Sequence, residues 1–475
     1  MSAIKFGTSM WRGIIAEDFT FTGVRAVSQA IGEYVLSQDP RAGDRGMVIG
    51  YDTRFLSEAF AAQVARVMAA QGIIAFLCER DTPTPVVAHE ILRRHAAGGV
   101  IVTASQNPPE YNGIKFSAAW GGPALPEATQ WIQERANQLL LDPRVREVSS
   151  GEAEGRGLIE RIDPRLAYLD RVRSLVSLET IREARLRVVI DPLYGSAQGY
   201  LDTLLRDAGC EVAVLHGFRD PNFGGRSPEP AENQLQELAF QVVESSAHLG
   251  LATDGDAGRF GLVDADGSFL EPNYFLGILL RHLVKTRGWT GGAARSVATT
   301  HLVDAVARQM EIPIYETRVG FKYIGELIAK DAIVLGGEES AGLSVKGHVP
   351  EQDGILACLL AAELVASRGG ARLKTLLQEL YGEVGTFLTK RLNYRLEQSA
   401  VDGLEDRLKQ PPGNLAGLAV IEVNRLDGVK MILEDGSWLL FRVSGTEPVV
   451  RLYAEAASPE RLDRLVTAGE NFIGR

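Results

Sequence analysis

Four short polar segments, each entered from an apolar run, hold the side chains best suited to chemistry. In Thr103-Ala104-Ser105-Gln106-Asn107-Pro108-Pro109 a hydroxyl is followed by Asn-Pro-Pro. The prolines keep this backbone rigid and non-helical, which suits a serine that must present its oxygen to a reactant. Read alone, the segment is also compatible with a polar turn carrying an incidental serine. Asp254-Gly255-Asp256-Ala257-Gly258-Arg259 sets two carboxylates one residue apart, an arrangement able to wrap a hard cation in oxygen ligands. It is not an EF-hand, because Arg259 stands where glycine is required and no glutamate closes the loop; its plainer alternative is a solvated Asp-Gly turn.

Gly336-Gly337-Glu338-Glu339-Ser340-Ala341-Gly342 offers carboxylates and a hydroxyl on a glycine-rich loop, as vicinal sugar hydroxyls require. Adjacent glutamates rarely span the roughly 5–9 Å of a glycosidase pair, and a solvated acidic loop is the alternative. In Arg442-Val443-Ser444-Gly445-Thr446-Glu447-Pro448-Val449-Val450-Arg451 two arginines bracket hydroxyls and backbone amides, a phosphate cradle where the alternative is a surface hairpin. Walker A, dinucleotide-binding and nucleophile-elbow sequences are absent. A hydroxyl, a cation loop, a sugar-type loop and a phosphate cradle together describe phosphoryl transfer on a phosphorylated sugar.

The elements that must position these loops follow from the apolar pattern. Met47–Gly50 and Gly99–Thr103 read as buried strands, with a helix between them capped by Ser57 and facing inward through Phe60, Val64, Val67 and Met68. A polar stretch around residues 142–156 marks a break. Strands are then predicted at Leu186–Ile190, Glu211–Leu215 and Leu249–Thr253, with a hairpin turn at Asp266-Gly267. A third unit follows with strands at Ser296–Thr300, Pro313–Glu316 and Ala332–Leu335. The last stretch, with Leu418–Val423, Val429–Leu433 and Trp438–Val443 separated by Asp-Gly pairs and a helix from Ser458, reads as antiparallel α+β. The predicted units are residues 1–150, 151–270, 271–385 and 386–475. In the three α/β units the polar loop follows a strand, where open α/β sheets bind ligands.

Composition sets the outer limits. A 475-residue chain with 45% hydrophobic and 23% charged residues is folded and multidomain. No apolar run is long enough to span a bilayer, and the first residues lack the pattern of a signal peptide. Cys78, Cys210 and Cys358 lie far apart, which excludes a disulfide framework or zinc ribbon and fits a reducing cytoplasm. A net charge of −11 argues against nucleic acid as a partner, while leaving room for an anionic substrate where arginines converge.

In order and spacing the four segments resemble the α-D-phosphohexomutases, the phosphoglucomutase/phosphomannomutase family, over essentially the whole chain. Gly7-Thr8-Ser9-Met10-Trp11-Arg12-Gly13 and Val319-Gly320-Phe321-Lys322-Tyr323-Ile324 add to the likeness. The resemblance implies three mixed α/β domains and a smaller α+β domain in a heart-shaped arrangement around a central cleft. It implies phosphorylation of Ser105 and Mg²⁺ held by Ser105, Asp254 and Asp256, with Arg12 and Lys115 beside the phosphoserine. Glu338 and Ser340 would hold the sugar. Arg442, Ser444, Gly445, Thr446 and Arg451 would grip the other phosphate, with Arg259 and Lys322 assisting substrate binding. Hexose 1,6-bisphosphate would be intermediate and activator, the partners small sugar phosphates, and the assembly a monomer or dimer.

Three positions depart from the family's pattern: Gly258 where a third aspartate is usual, Gln106 where histidine is usual, and Met10 where glycine is common. Glutamine cannot titrate near neutrality, which leaves Lys115 as the acid/base candidate. The expected activity is interconversion of glucose 1-phosphate and glucose 6-phosphate, with mannose phosphates as further substrates. The departures keep two alternatives open: a phosphotransferase that releases hexose 1,6-bisphosphate, and a non-catalytic sugar-phosphate binder.

Overall fold

The computed structural model describes residues 3–7, 9–141, 145–443 and 449–474. Four sheets follow one another along the chain. The first has six strands in the order Met10–Ile14, Tyr111–Ala118, Gly98–Val102, Met47–Tyr51, Ala75–Cys78 and Ile159–Ile162. Met47–Tyr51 and Gly98–Val102 pair in parallel and are buried throughout, which is why they read as unbroken apolar runs. Ile159–Ile162 pairs with Ala75–Cys78, so the first sheet continues past the break expected near residue 150.

The second sheet has five strands, with Leu249–Thr253 beside Arg187–Asp191, and its Phe260–Asp264 strand running antiparallel. The third has four, and one of its two inner strands is Gly292–Ser296, ending where a strand over Ser296–Thr300 was expected to begin. The small side chains of Ala293 and Ala294, outside the predicted strand, fit a strand packed on both faces. Arg295 is tolerated there because it is bound by Asp304 and by Glu316 at 2.6 Å. The final sheet is six-stranded and antiparallel, with a helix Pro459–Ile473 capped by Ser458 accepting from the Arg461 amide.

The second and third α/β units share one apolar core. Helix Gly354–Ser367 is buried along almost its entire length, against strands Leu249–Thr253 and Phe260–Asp264 on one side and helix Leu178–Ala184 on another. An amphipathic stripe is absent there because the helix has no solvent face. Among the described residues no helix is long and apolar enough to cross a membrane. Cys78, Cys210 and Cys358 are buried and unpaired.

Candidate active site

Ser105 follows strand Gly98–Val102 with a left-handed backbone, φ 55°, an uncommon conformation for a residue with a Cβ. The surroundings over-determine it. Its amide donates to Thr103 Oγ1 at 2.8 Å, and Thr103 in turn donates to Asp52 Oδ2 at 2.6 Å. Arg54 is wholly buried beneath the loop and donates to the carbonyls of Ser105 at 2.7 Å, Asn107 at 2.6 Å, Pro108 at 2.7 Å and Tyr111 at 3.0 Å. Asp52 balances its charge at 3.1 Å. Ser57 does not cap the helix as expected: Leu56 is the capping residue, and Ser57 donates to Asp52 Oδ1 at 2.8 Å. The polar Asp52-Thr53-Arg54 triplet after a buried strand was the sequence signal for this support.

The Ser105 hydroxyl lies 2.7 Å from Asp254 Oδ2 and 2.9 Å from Gln106 Oε1, with one proton to share between them. Asp254 and Asp256 are fully buried, so the solvated-turn alternative does not describe them. Burial, then the charge of Asp256, pushes the Asp254 carboxyl up to about 7. Burial opposes ionisation of Asp256 as well, but Lys115 Nζ at 2.5 Å and Thr84 Oγ1 at 2.6 Å hold its carboxyl well below the usual range. Those partners take Asp256 Oδ2 and leave Oδ1 buried with no hydrogen bond. Ser105 Oγ, an Asp254 oxygen and Asp256 Oδ1 thus form an all-oxygen donor set that fits a hard divalent cation. Among the described residues no cluster of three or more acidic, histidine or cysteine ligands supplements them.

The place beside Gly258 is taken. A Cβ built there would meet Gln352 Nε2 at 3.2 Å and Cγ at 3.3 Å, so the Gln352 amide fills the space next to the cation loop. Its neighbour Glu351 is also buried, and burial pushes its carboxyl up to about 7 against the opposing charge of Lys115. Arg12 lies among the same charges; burial, then Arg259, lowers its guanidinium to about 10. Met10 is buried, with its sulfur against Arg12 Nε.

Glu338 ends strand Ile333–Glu338 and Ser340 lies in the turn to Gly342–Val345. Glu338 accepts from the Gly320 amide at 2.7 Å, and burial, then Glu339, pushes its carboxyl up to about 7. Lys322 sits in the first turn of helix Phe321–Ala329, its charge disfavoured by burial. Arg442 and Arg451 are direct partners on adjacent antiparallel strands. Like charges so placed repel, and an anion between them removes the penalty. Ser444, Gly445 and Thr446 lie outside the described residues.

One cavity of about 430 Å³ gathers these groups: Arg12, Lys115, Arg259, Lys322, Glu338, Ser340, Arg442 and Arg451 all line it. Ser105 is nearly covered, with Gln106 beside it forming the wall. Sequence reasoning missed Arg54, Glu351, Gln352 and Arg391, the last a further cavity arginine on strand Leu388–Arg395. Arg391 stands in no motif; its signal was strand alternation alone.

Family models for the phosphoglucomutase/phosphomannomutase α/β/α domains I, II and III match residues 3–141, 166–267 and 271–384, and the model for the C-terminal domain matches residues 393–469. A Methanopyrus kandleri protein named "Probable phosphoglucosamine mutase" is 31% identical, with 97% of this chain and 95% of that protein covered. A Thermococcus kodakarensis phosphoglucomutase/phosphomannomutase is 29% identical over 98% of both chains. The crystal structure of a "putative phosphomannomutase" from Thermus thermophilus superposes with a TM-score of 0.85, at 32% identity and full coverage of both chains.

Proposed function

Because the chain belongs to the α-D-phosphohexomutase family, that of the phosphoglucomutases and phosphomannomutases, we propose that it moves a phosphoryl group between the 1- and 6-positions of a hexose phosphate through phosphorylated Ser105. The observation that carries this reading is the gathering of these groups around one cavity. Gln106, next to Ser105, forms part of its wall, and Arg442, Arg451, Glu338 and Ser340 also line it.

In the first half-reaction the 6-hydroxyl oxygen of a hexose 1-phosphate bonds to phosphorus as the bond from phosphorus to Ser105 Oγ breaks. Lys115, an ammonium paired with Asp256, gives a proton to the departing Ser105 Oγ and, then a free amine, takes the one released by the 6-hydroxyl. The 1,6-bisphosphate then turns end for end, and Ser105 Oγ takes the other phosphoryl group, leaving the 6-phosphate. Such transfer depends on positioning and charge stabilisation more than on covalent steps by the protein. Arg12 and Arg259 offset charge near Ser105. Arg442 and Arg451 hold the phosphate that is not transferring, whichever end that is. Glu338 and Ser340 bind hydroxyls that keep their place in both orientations. Ser105, Asp254 and Asp256 would hold Mg²⁺, which when bound supplies neutralisation of the phosphoserine's charge.

Glucose phosphates are the favoured substrates on the Gly-Glu-Glu-Ser form of the sugar loop, with mannose and glucosamine phosphates as competitors to be compared. The test is a coupled assay of glucose 1-phosphate, mannose 1-phosphate and glucosamine 1-phosphate with Mg²⁺ and a trace of glucose 1,6-bisphosphate, on wild type and Ser105→Ala. Turnover lost in the variant supports the mutase. Accumulation of free bisphosphate, or binding without turnover, replaces it with one of the two alternatives.

A further inference from the structure

Asp427 lies in the Asp-Gly turn between strands Leu418–Asn424 and Val429–Leu433 of the C-terminal sheet. Its two oxygens serve different domains. Oδ1 accepts from Arg442 Nε at 3.0 Å, within the C-terminal sheet. Oδ2 accepts from the Val319 amide at 3.0 Å, across the interface in the third domain. The next amide along, that of Gly320, donates to Glu338 Oε1 at 2.7 Å. An unbroken path therefore runs from an arginine of the phosphate cradle, through one carboxylate and two consecutive amides, to the carboxylate of the sugar loop.

Every other member of this path lines the cavity, and Asp427 stands behind them. Gly320 adopts φ 126°, a conformation that side-chain-bearing residues rarely take, so its amide is aimed by a backbone the loop does not adopt by default. Lys322, two residues on, is also within the field of Asp427 and Glu338, which favour its charge against burial. An isolated surface ion pair contributes little. Here the same carboxylate bridges two domains, and each partner faces the place a substrate would occupy.

We propose that Asp427 is a positioning residue that couples docking of the C-terminal domain to preparation of the sugar site. When its carboxylate is engaged at both ends, Arg442 is aimed into the cavity and Gly320 holds Glu338 in place. Grip on the phosphate and presentation to the sugar are then made in one event. The inference deepens the hexose-phosphate reading and rests on it for the identity of the substrate.

The test substitutes Asp427 in the full chain and reads both kinetics and amide exchange without ligand. Asp427→Asn keeps an acceptor for Val319 but loses the charge that fixes Arg442; Asp427→Ala loses both. The expected result is a graded rise in KM for the hexose phosphate, about tenfold in D427N and larger in D427A, with kcat within about threefold. Exchange at the Val319 and Gly320 amides rises in D427A. Unchanged KM together with unchanged exchange overturns the proposal. So does loss of kcat at constant KM with a lowered melting temperature, the mark of a merely structural role. If the wild type turns over no hexose phosphate, the mutase reading fails while the clip remains decidable: raised exchange in D427A upholds it, and unchanged exchange overturns it.

Discussion

Arg54 Nη2 donates to the carbonyl oxygen of Ser105 at 2.7 Å, so the residue proposed to carry the phosphoryl group is held from below by a guanidinium that never reaches the cavity. Lysine cannot reproduce this fork of bonds to four carbonyls. Arg54→Lys is expected to fold with a lower melting temperature and to lose kcat by about 10–100-fold with a smaller change in KM, because misplacement of a reacting atom costs rate before binding. Steady-state kinetics beside thermal unfolding checks this; unchanged kcat refutes it.

Removing Lys115 separates its two duties. Lys115→Met leaves the buried Asp256 carboxylate without its ammonium partner, a loss of about 3–5 kcal/mol for a broken buried pair. A divalent cation bound to the folded state restores part of that stability. The melting temperature of K115M is therefore expected to rise more on adding Mg²⁺ than that of the wild type, while turnover stays low. Equal Mg²⁺ shifts in the two proteins would count against a cation at this carboxylate.

Gly258 and Gln352 are expected to behave as a coupled pair. Because a Cβ at Gly258 meets Gln352 at 3.2–3.4 Å, Gly258→Asp alone forces the amide aside. Combined with Gln352→Ala, the new carboxylate has room. We expect Mg²⁺ affinity to rise about 10–100-fold in the double variant and less in G258D alone, since even the outer partners of metal ligands change affinity by that order. Isothermal titration with Mg²⁺ decides it, and additive single effects would show that the two sites are independent.

Glu351 gives a pH signature. Its carboxyl is pushed from 4.5 up to about 7 by burial. Between those values the folded protein keeps a proton that the unfolded chain has released, so this group's contribution falls as pH rises through the window, and the penalty is complete above it. Glu351→Gln is expected to stabilise the protein at pH 8 by on the order of 1–3 kcal/mol, with the gain vanishing below about pH 4.5. Unfolding curves at pH 4.5, 6 and 8 test the sign; a gain that does not grow with pH refutes it.

The fold was legible where strands are buried on both faces, since Met47–Tyr51 and Leu249–Thr253 leave unbroken apolar runs. It was obscured where small or charged residues occupy a central strand, as at Gly292–Ser296, because Arg295 is neutralised only by residues distant in sequence. The same division holds at the site. Ser105, Asp254 and Asp256 stand in loops directly after a strand and Glu338 at a strand's last position, and all four announce themselves by type. Glu351 and Gln352 act through contacts made by chain segments far apart, and single-sequence spacing carries no record of those. For Asp256 the type was legible but the environment was not: its burial and its pairing with Lys115 reverse what an Asp-Gly turn alone implies.

Arg12, Arg259, Arg391, Arg442 and Arg451, with Lys5, Lys115 and Lys322, outnumber the four glutamates on one cavity lining, so the charge there is opposite in sign to the total. The chain as a whole carries −11, and a doubly charged anion at long range is repelled. Nearer than about one Debye length, roughly 8 Å in physiological salt, the local arginines govern its path. The entrance then works as an electrostatic lens, collecting anions that the rest of the surface turns away. Dilute salt strengthens both the repelling shell and the attracting throat, so the association rate of a sugar phosphate registers which of the two dominates the last ångströms of approach.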